Sequence, residues 1–230
     1  MKYLPALFVV LLVACNPKIG DGIRKNDLKK DVELTTTKGV IVLRLSDSTP
    51  LHRNNFIKLV KQHYYDSILF HRVIKTFMIQ AGDPRTKHEG QAQLSSRDSL
   101  AYTIPAELRS TMFHKKGVLA AARRSDDVNP TKASSASQFY IVQGRIFTDA
   151  SLDSVETFRL NGRKLPLAAR EMYKTVGGAP HLDQNYTVYG EVVSGLAVVD
   201  SIANTPTTGR QAGDRPLEPV KIIKARLIGR

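Results

Sequence analysis

The chain has 230 residues, enough for one domain of ordinary size or two small ones, and a formal net charge of +13. Charged residues make up 24% and the 15 Gly and 11 Pro are not in excess, which excludes a disordered or fibrous chain. The positive balance admits an acidic partner, a nucleic acid, an anionic membrane surface or plain solubility charge. Lys and Arg are spread along the chain, however, with no RNA-binding aromatic motif, zinc-finger spacing or helix-turn-helix pattern, so no nucleic-acid partner is expected.

Met1-Lys2 is a short positive start, and Tyr3 to Ala14 is an apolar run. The run is too short for the roughly 20 residues that span a bilayer and suits a signal peptide over residues 1–14. Cys15 is the single cysteine, so no intramolecular disulfide can form. Leu12-Val13-Ala14-Cys15 resembles a bacterial lipobox, which would be cut before Cys15 and the cysteine lipidated, anchoring the protein to a membrane. The mature chain would keep +12, because Lys2 is the only charge removed from +13. Residues 15–31 are mostly polar, with Pro17, Gly20 and Gly22, and read as a lipidated N-terminus and flexible tether reaching about 20 Å.

A domain is expected over 32–230. Val32–Thr36 and Val40–Leu45 flank Thr37-Lys38-Gly39 as a β-hairpin. Ser48 or Thr49 can cap a helix that starts at Pro50, carries Phe56, Leu59 and Val60 at helical spacing and ends near Tyr64-Tyr65-Asp66. Phe70 to Asp83 is mostly apolar, yet it contains Arg72 and Gln80. An unpaired guanidinium is very costly to bury. We therefore read two strands flooring a groove, with Arg72 and Gln80 turned to a ligand; the alternative is an edge strand whose Arg72 snorkels to water. Alternation puts Met78 and Gln80 on one face, and Phe77 joins them only if the chain bends just before it. His71 falls on the opposite face, as a satisfied core histidine.

Arg85 to Thr103 reads as a loop, Gly117 to Ala122 as a small-residue strand, Arg123 to Ala136 as a loop and Ser137 to Val142 as a strand. Phe147 to Val176 reads as an inserted pair of helices, broken at Asn161-Gly162 and stopped by Gly177-Gly178. It is expected to pack beside the groove through Leu152, Val155, Phe158 and Met172. A strand over 187–193, a helix over 196–203 and a closing strand over 220–228 complete the chain. Many strands with few helices argue one mainly β domain, most simply a closed barrel capped by helices. The six histidines include no i,i+4 pair and no Cys partner, so a metal site is not expected; nor is there a Gly-x-Ser-x-Gly motif or a P-loop.

Phe70 to Asp83 resembles the central motif of the cyclophilin-type peptidyl-prolyl cis/trans isomerases. Val40–Leu45, Asn55-Phe56, Gly117–Ala122, Ser137–Tyr140 and Tyr189–Val192 each resemble a block of that family, in its order. The resemblance implies a closed eight-stranded antiparallel barrel capped by helices, no metal or cofactor, a monomer, and proline-containing polypeptides as substrates. It implies Arg72 as the catalytic residue and Phe77, Met78, Tyr140 and Leu182 as the proline pocket. Gln80 would bond substrate backbone, and Gln138 and Ala122 would line a neighbouring subsite. Three positions depart from many relatives: Arg123 stands for Asn in a largely backbone contact, His181 for Trp and Tyr186 for His. In many relatives the Tyr140 position is Phe, and the extra hydroxyl is expected at the pocket rim. Together with the lipobox this gives a lipid-anchored isomerase facing the bacterial periplasm and acting on exported proteins. A non-catalytic proline-peptide-binding or chaperone-like module on the same fold is the alternative.

Overall fold

The computed structural model describes residues 18–20, 22–87, 100 and 102–230. The signal peptide and Cys15 lie outside the described residues, as does most of the loop over 85–103.

Asp31–Thr36 (β1) and Gly39–Leu45 (β2) form the expected hairpin, with Thr36 opposite Gly39. Its turn is fixed by the Thr36 hydroxyl, which donates to the Gly39 carbonyl at 2.7 Å and accepts from the Lys38 N–H at 3.1 Å. Strand alternation turns Val32, Leu34, Ile41 and Leu43 into the interior. Pro50–Lys61 (α1) lays Phe56, Ile57, Leu59 and Val60 against the same core. Thr49 occupies the N-cap position, but its hydroxyl makes no capping bond. The orphan N–H groups of Leu51 and His52 instead donate to the carboxylate of Glu107, at 3.2 and 3.0 Å. The cap therefore comes from a residue distant in sequence, a bond no local pattern can reveal. The helix stops at Lys61, short of the expected Tyr64–Asp66, where His63 turns the chain at φ 56°.

Arg72–Ile74 (β3), Met78–Ala81 (β4), Val118–Ala121 (β5), Phe139–Val142 (β6), Val188–Ser194 (β7) and Ile222–Ile228 (β8) complete an eight-stranded antiparallel sheet of order β8-β1-β2-β7-β5-β6-β4-β3. The expected closed barrel is corrected here: the sheet is open, with β8 and β3 as its edges. β3 is only three residues long, and the chain before it turns at Ser67 (φ 66°). The two edges meet through a single bridge, Leu69 to Lys221, backbone bonds between 67–70 and 220–222, and the Ala225 N–H donating to Asp66 Oδ1 at 2.9 Å. Inside the curved sheet α1, with Leu196–Ala203 (α4) contributing Val199 and Ile202, closes the main core around Phe56, Tyr65, Phe139 and Tyr189.

Two further expectations are corrected. The polar stretch read as a tether is docked from Ile23 onward. Ile23 is buried in the main core, Leu28 packs against it, and Lys61 Nζ donates to Asp27 Oδ2 at 2.6 Å. In the insertion, Asp149–Phe158 (α2) and Leu167–Thr175 (α3) form as expected, with Thr148 capping α2. Their contacts differ from expectation: Phe158 is 77% exposed, while Leu152, Leu160, Leu165, Ala169 and Tyr173 make a small core with Phe147. The buried stripe of α2 runs through Leu152 and Glu156, and Phe158 lies off that stripe at 100° per residue. Glu156 accepts from Lys164 Nζ, the Leu165 N–H and Arg170, and these bonds tie the two helices together.

Candidate active site

The sheet has two faces of different use. Val73, Ile79, Ala81, Phe139 and Ile141 point into the main core. The residues between them face the other way and gather a second apolar cluster that includes Met78, Ala120, Tyr140, Val142, Leu182 and Val188. The register puts Arg72 opposite Gln80, Gln80 opposite Tyr140, and Tyr140 opposite Ala120, so these four share one row on that second face. Met78 sits between Ile74 and Val142 in the next row.

Phe77 reaches this face through a bend just before it. Thr76 adopts φ 62°, its N–H donates to Gln143 Oε1 at 2.6 Å, and the N–H groups of Gln143 and Gly144 both donate to the Phe77 carbonyl. Leu182 arrives on a short helical turn over Pro180–Leu182, directly after the insertion. Arg72, Phe77, Met78, Gln80, Ala122, Arg123, Tyr140, Leu182 and Tyr186 together line a cavity of about 160 Å³. A larger cavity, of about 400 Å³, is lined by Arg44, Met112, Phe113, Met172 and others and contains none of the catalytic or substrate-binding residues expected from the sequence.

Of the remaining expectations, Gln138 lies beside the cavity and accepts from Gln80 Nε2 at 3.2 Å. His181 stands across Phe77, the ring centroids 5.3 Å apart. Burial, and then the positive field of Arg159, hold His181 at a pKa of about 4, so it is neutral at pH 7. Arg123 does more than present its backbone. Its guanidinium donates to the Asn185 carbonyl, pairs with Asp126 and stacks on Tyr186 at 4.6 Å. His71, read as a satisfied core histidine, is not satisfied: among the described residues its buried Nδ1 has no hydrogen-bond partner.

Two features escaped the sequence. Arg72 Nε lies 3.6 Å from Asp214 Oδ2, close enough for its charge to orient the guanidinium but beyond hydrogen-bond range. Asp214 sits at φ 54° on a loop far along the chain, and its carbonyl accepts from the Val73 N–H. The second is a buried chain behind the cavity. The Tyr140 hydroxyl is 3.0 Å from His114 Nε2, His114 Nδ1 is 2.9 Å from Asp183 Oδ1, and the Tyr173 hydroxyl donates to Asp183 Oδ2 at 2.7 Å. A carboxylate only accepts, so Nδ1 carries the proton, and in that tautomer Nε2 accepts from the Tyr140 hydroxyl. The expected rim hydroxyl is therefore corrected: it points inward, because a buried acceptor waits behind the ring. Burial and the neighbouring Asp183 push the Tyr173 hydroxyl far above its ordinary pKa, so it remains a donor. Tyr173 belongs to the insertion, and it reaches this network because Gly178 brings the insertion's end hard against the loop carrying His114. A Cβ on Gly178 would stand 2.2 Å from the His114 carbonyl.

Comparison with known proteins gives the family of the chain. The model of the family described as "Cyclophilin type peptidyl-prolyl cis-trans isomerase/CLD" matches residues 31–227. The chain belongs to the cyclophilin-type peptidyl-prolyl cis-trans isomerases. A Staphylococcus haemolyticus protein named "Putative peptidyl-prolyl cis-trans isomerase" is 32% identical to this cyclophilin-type chain over 207 residues, 90% of this chain and 94% of its own length. A solved cyclophilin-type isomerase of Cryptosporidium parvum superposes with a TM-score of 0.62 at 20% identity, covering 87% of this chain and 98% of its own. A second structure of that protein, in the presence of the dipeptide Ala-Pro, gives a TM-score of 0.60. These solved neighbours share the cyclophilin fold.

Proposed function

We propose that this isomerase turns X–Pro bonds in exported polypeptides at the cavity of about 160 Å³, with Arg72 as its catalytic group. The observation that carries the reading is the single row Arg72–Gln80–Tyr140, which lies beside Met78 and Phe77 on the same face. Rotation about the bond has a barrier of about 18–20 kcal/mol, because it breaks amide resonance, and it makes no new covalent bond. What the site must do is hold the ring, hold the chain on one side, and stabilise the prolyl nitrogen as it becomes pyramidal and electron-rich.

In this reading Phe77, Met78, Tyr140 and Leu182 take the ring. Gln80 bonds substrate backbone and is itself oriented by Gln138; Ala122 and Arg123 border the neighbouring subsite, and Tyr186 and His181 form the rim. The Arg72 guanidinium donates to the prolyl nitrogen, and it cannot be deprotonated. The negative charge of Asp214 favours one orientation of a side chain that is 43% exposed. A single charge-assisted hydrogen bond supplies about 1.5–3 kcal/mol. The rest must come from a preorganised, water-poor pocket. The proposal predicts that the protein accelerates cis-to-trans relaxation of a short proline peptide, followed by NMR exchange. Binding without acceleration would leave only a peptide-binding module.

The location is proposed on the lipobox alone. Cys15 would carry the lipid and hold the domain at the bacterial cell envelope, facing the periplasm, as a monomer. Cys15→Ala should abolish incorporation of a fatty-acid label and move the protein to the soluble fraction; an unlabelled wild type would refute the anchor.

A further inference from the structure

A second cavity opens on the far side of Phe77. It measures about 230 Å³, more than the proline pocket, and is lined by Thr76, Phe77, Arg145, Phe147, Val155, Arg159, Gly178, Ala179 and His181. Phe77 lines both cavities, so the two adjoin across its ring. Its outer wall comes from the insertion: Val155 and Arg159 belong to α2 and the segment after it. The floor is apolar, and the charge at its edge has one sign.

Two guanidiniums supply that charge. Arg145 is held over the Phe147 ring at 4.4 Å. Arg159 lies close enough to His181 to be the leading charge acting on it. The insertion's carboxylates are used elsewhere: Asp149 and Asp153 pair with Arg170, Asp149 also with Lys174, and Glu156 with Lys164 and Arg170. Among the described residues no ion pair reaches Arg145 or Arg159. His181 faces the same space as a neutral ring, and Thr76 adds a hydroxyl at the edge.

We propose that this cavity is a specificity subsite, built by the insertion, for an acidic side chain (Asp or Glu) flanking the proline of the substrate polypeptide. The inference rests on the isomerase reading of the neighbouring pocket. An extended peptide advances about 3.3 Å per residue, so the occupant is the residue one or two positions from the proline on the Phe77 side. Its stem would lie on Phe77 and Val155, and its carboxylate would reach Arg145 and Arg159.

The test uses the full chain and a set of five-residue peptides with a central proline. Glu, Gln or Lys is placed one or two positions before or after that proline, and isomerisation is read by NMR exchange. The expected result is a preference for Glu over Gln at one flank only, about threefold to tenfold in kcat/KM and carried by KM. About 0.5 M salt should remove the preference. The double variant Arg145→Glu, Arg159→Glu should reverse it toward Lys. Equal rates for Glu, Gln and Lys at all four positions, with neutral peptides turned over normally, would reject the subsite and leave the isomerase reading intact. Should no peptide be turned over, the isomerase reading fails, and calorimetric titration of the same peptides decides the subsite: tighter binding of Glu supports it and equal binding overturns it. If the double variant does not fold, the salt series on the wild type carries the same decision.

Discussion

Tyr140→Phe would give this chain the residue many of its relatives carry, and we expect it to be harmful here. The Tyr140 ring is 5% exposed, His114 and Tyr173 are fully buried and Asp183 nearly so. Removing the hydroxyl leaves His114 Nε2 facing apolar atoms with no donor. An unsatisfied buried group costs about 1–3 kcal/mol. Taking about 2 kcal/mol, and about 2–4 °C per kcal/mol for a domain of this size, the thermal midpoint should fall by ~4–8 °C. Tyr173→Phe should cost a similar amount from the other end, since Asp183 Oδ2 loses its donor. Because one His–Asp pair links both tyrosines, the double variant should depart from additivity by about 0.5–3 kcal/mol. Scanning calorimetry of the two single variants and the double variant measures all of this. The isomerase assay should report a raised KM for Tyr140→Phe with kcat little changed, as the pocket wall loosens. A midpoint for Tyr140→Phe within about 1 °C of wild type, together with strict additivity, would refute the network.

The remaining predictions concern the insertion and the rim. Burial alone would raise the Glu156 carboxyl, but its bonds from Lys164, the Leu165 N–H and Arg170 outweigh this and hold it at about 2, against an ordinary 4.5. A depressed carboxyl stabilises the fold fully above 4.5, and that contribution is lost as pH falls through 2, so the thermal midpoint should drop over this window and Glu156→Gln should flatten the drop. His181→Trp should strengthen inhibition by cyclosporin, the cyclic peptide that fills this groove in many cyclophilins, by roughly thirtyfold, since a buried aromatic anchor is worth about 2 kcal/mol; unchanged inhibition in a titration would count against the rim role of His181.

Much of the groove was legible because it is written locally. Period-two alternation placed Met78 and Gln80 together, and the bend that Phe77 requires is the one found at Thr76. What the sequence concealed depends on contacts between distant segments. Glu107 caps a helix more than fifty residues earlier, Asp214 reaches back to Arg72, and Tyr173 joins His114 through Asp183. No spacing rule reports such pairs. Phe158 misled because helical spacing by three was read without fixing the buried stripe, which Leu152 and the polar Glu156 define. The tether misled because a short polar segment holding one well-placed Ile23 can still dock. The insertion is also bonded to the residues behind the cavity. Replacing 147–176 would remove Tyr173 and leave Asp183 short of a donor, so the insertion belongs to the support of the proline pocket.

The central claim is that Arg72 performs the chemistry, and the isomerase activity of Arg72→Ala tests it most directly. The side chain is 43% exposed and meets Asp214 only at 3.6 Å, so its removal should scarcely move the thermal midpoint. Losing one charge-assisted bond made in the transition state should lower kcat by about 10- to 150-fold, with peptide affinity little changed. Arg72→Lys should recover little, because an ammonium lacks the planar fork. A folded Arg72→Ala protein that turns over a proline peptide at near wild-type kcat would contradict the account.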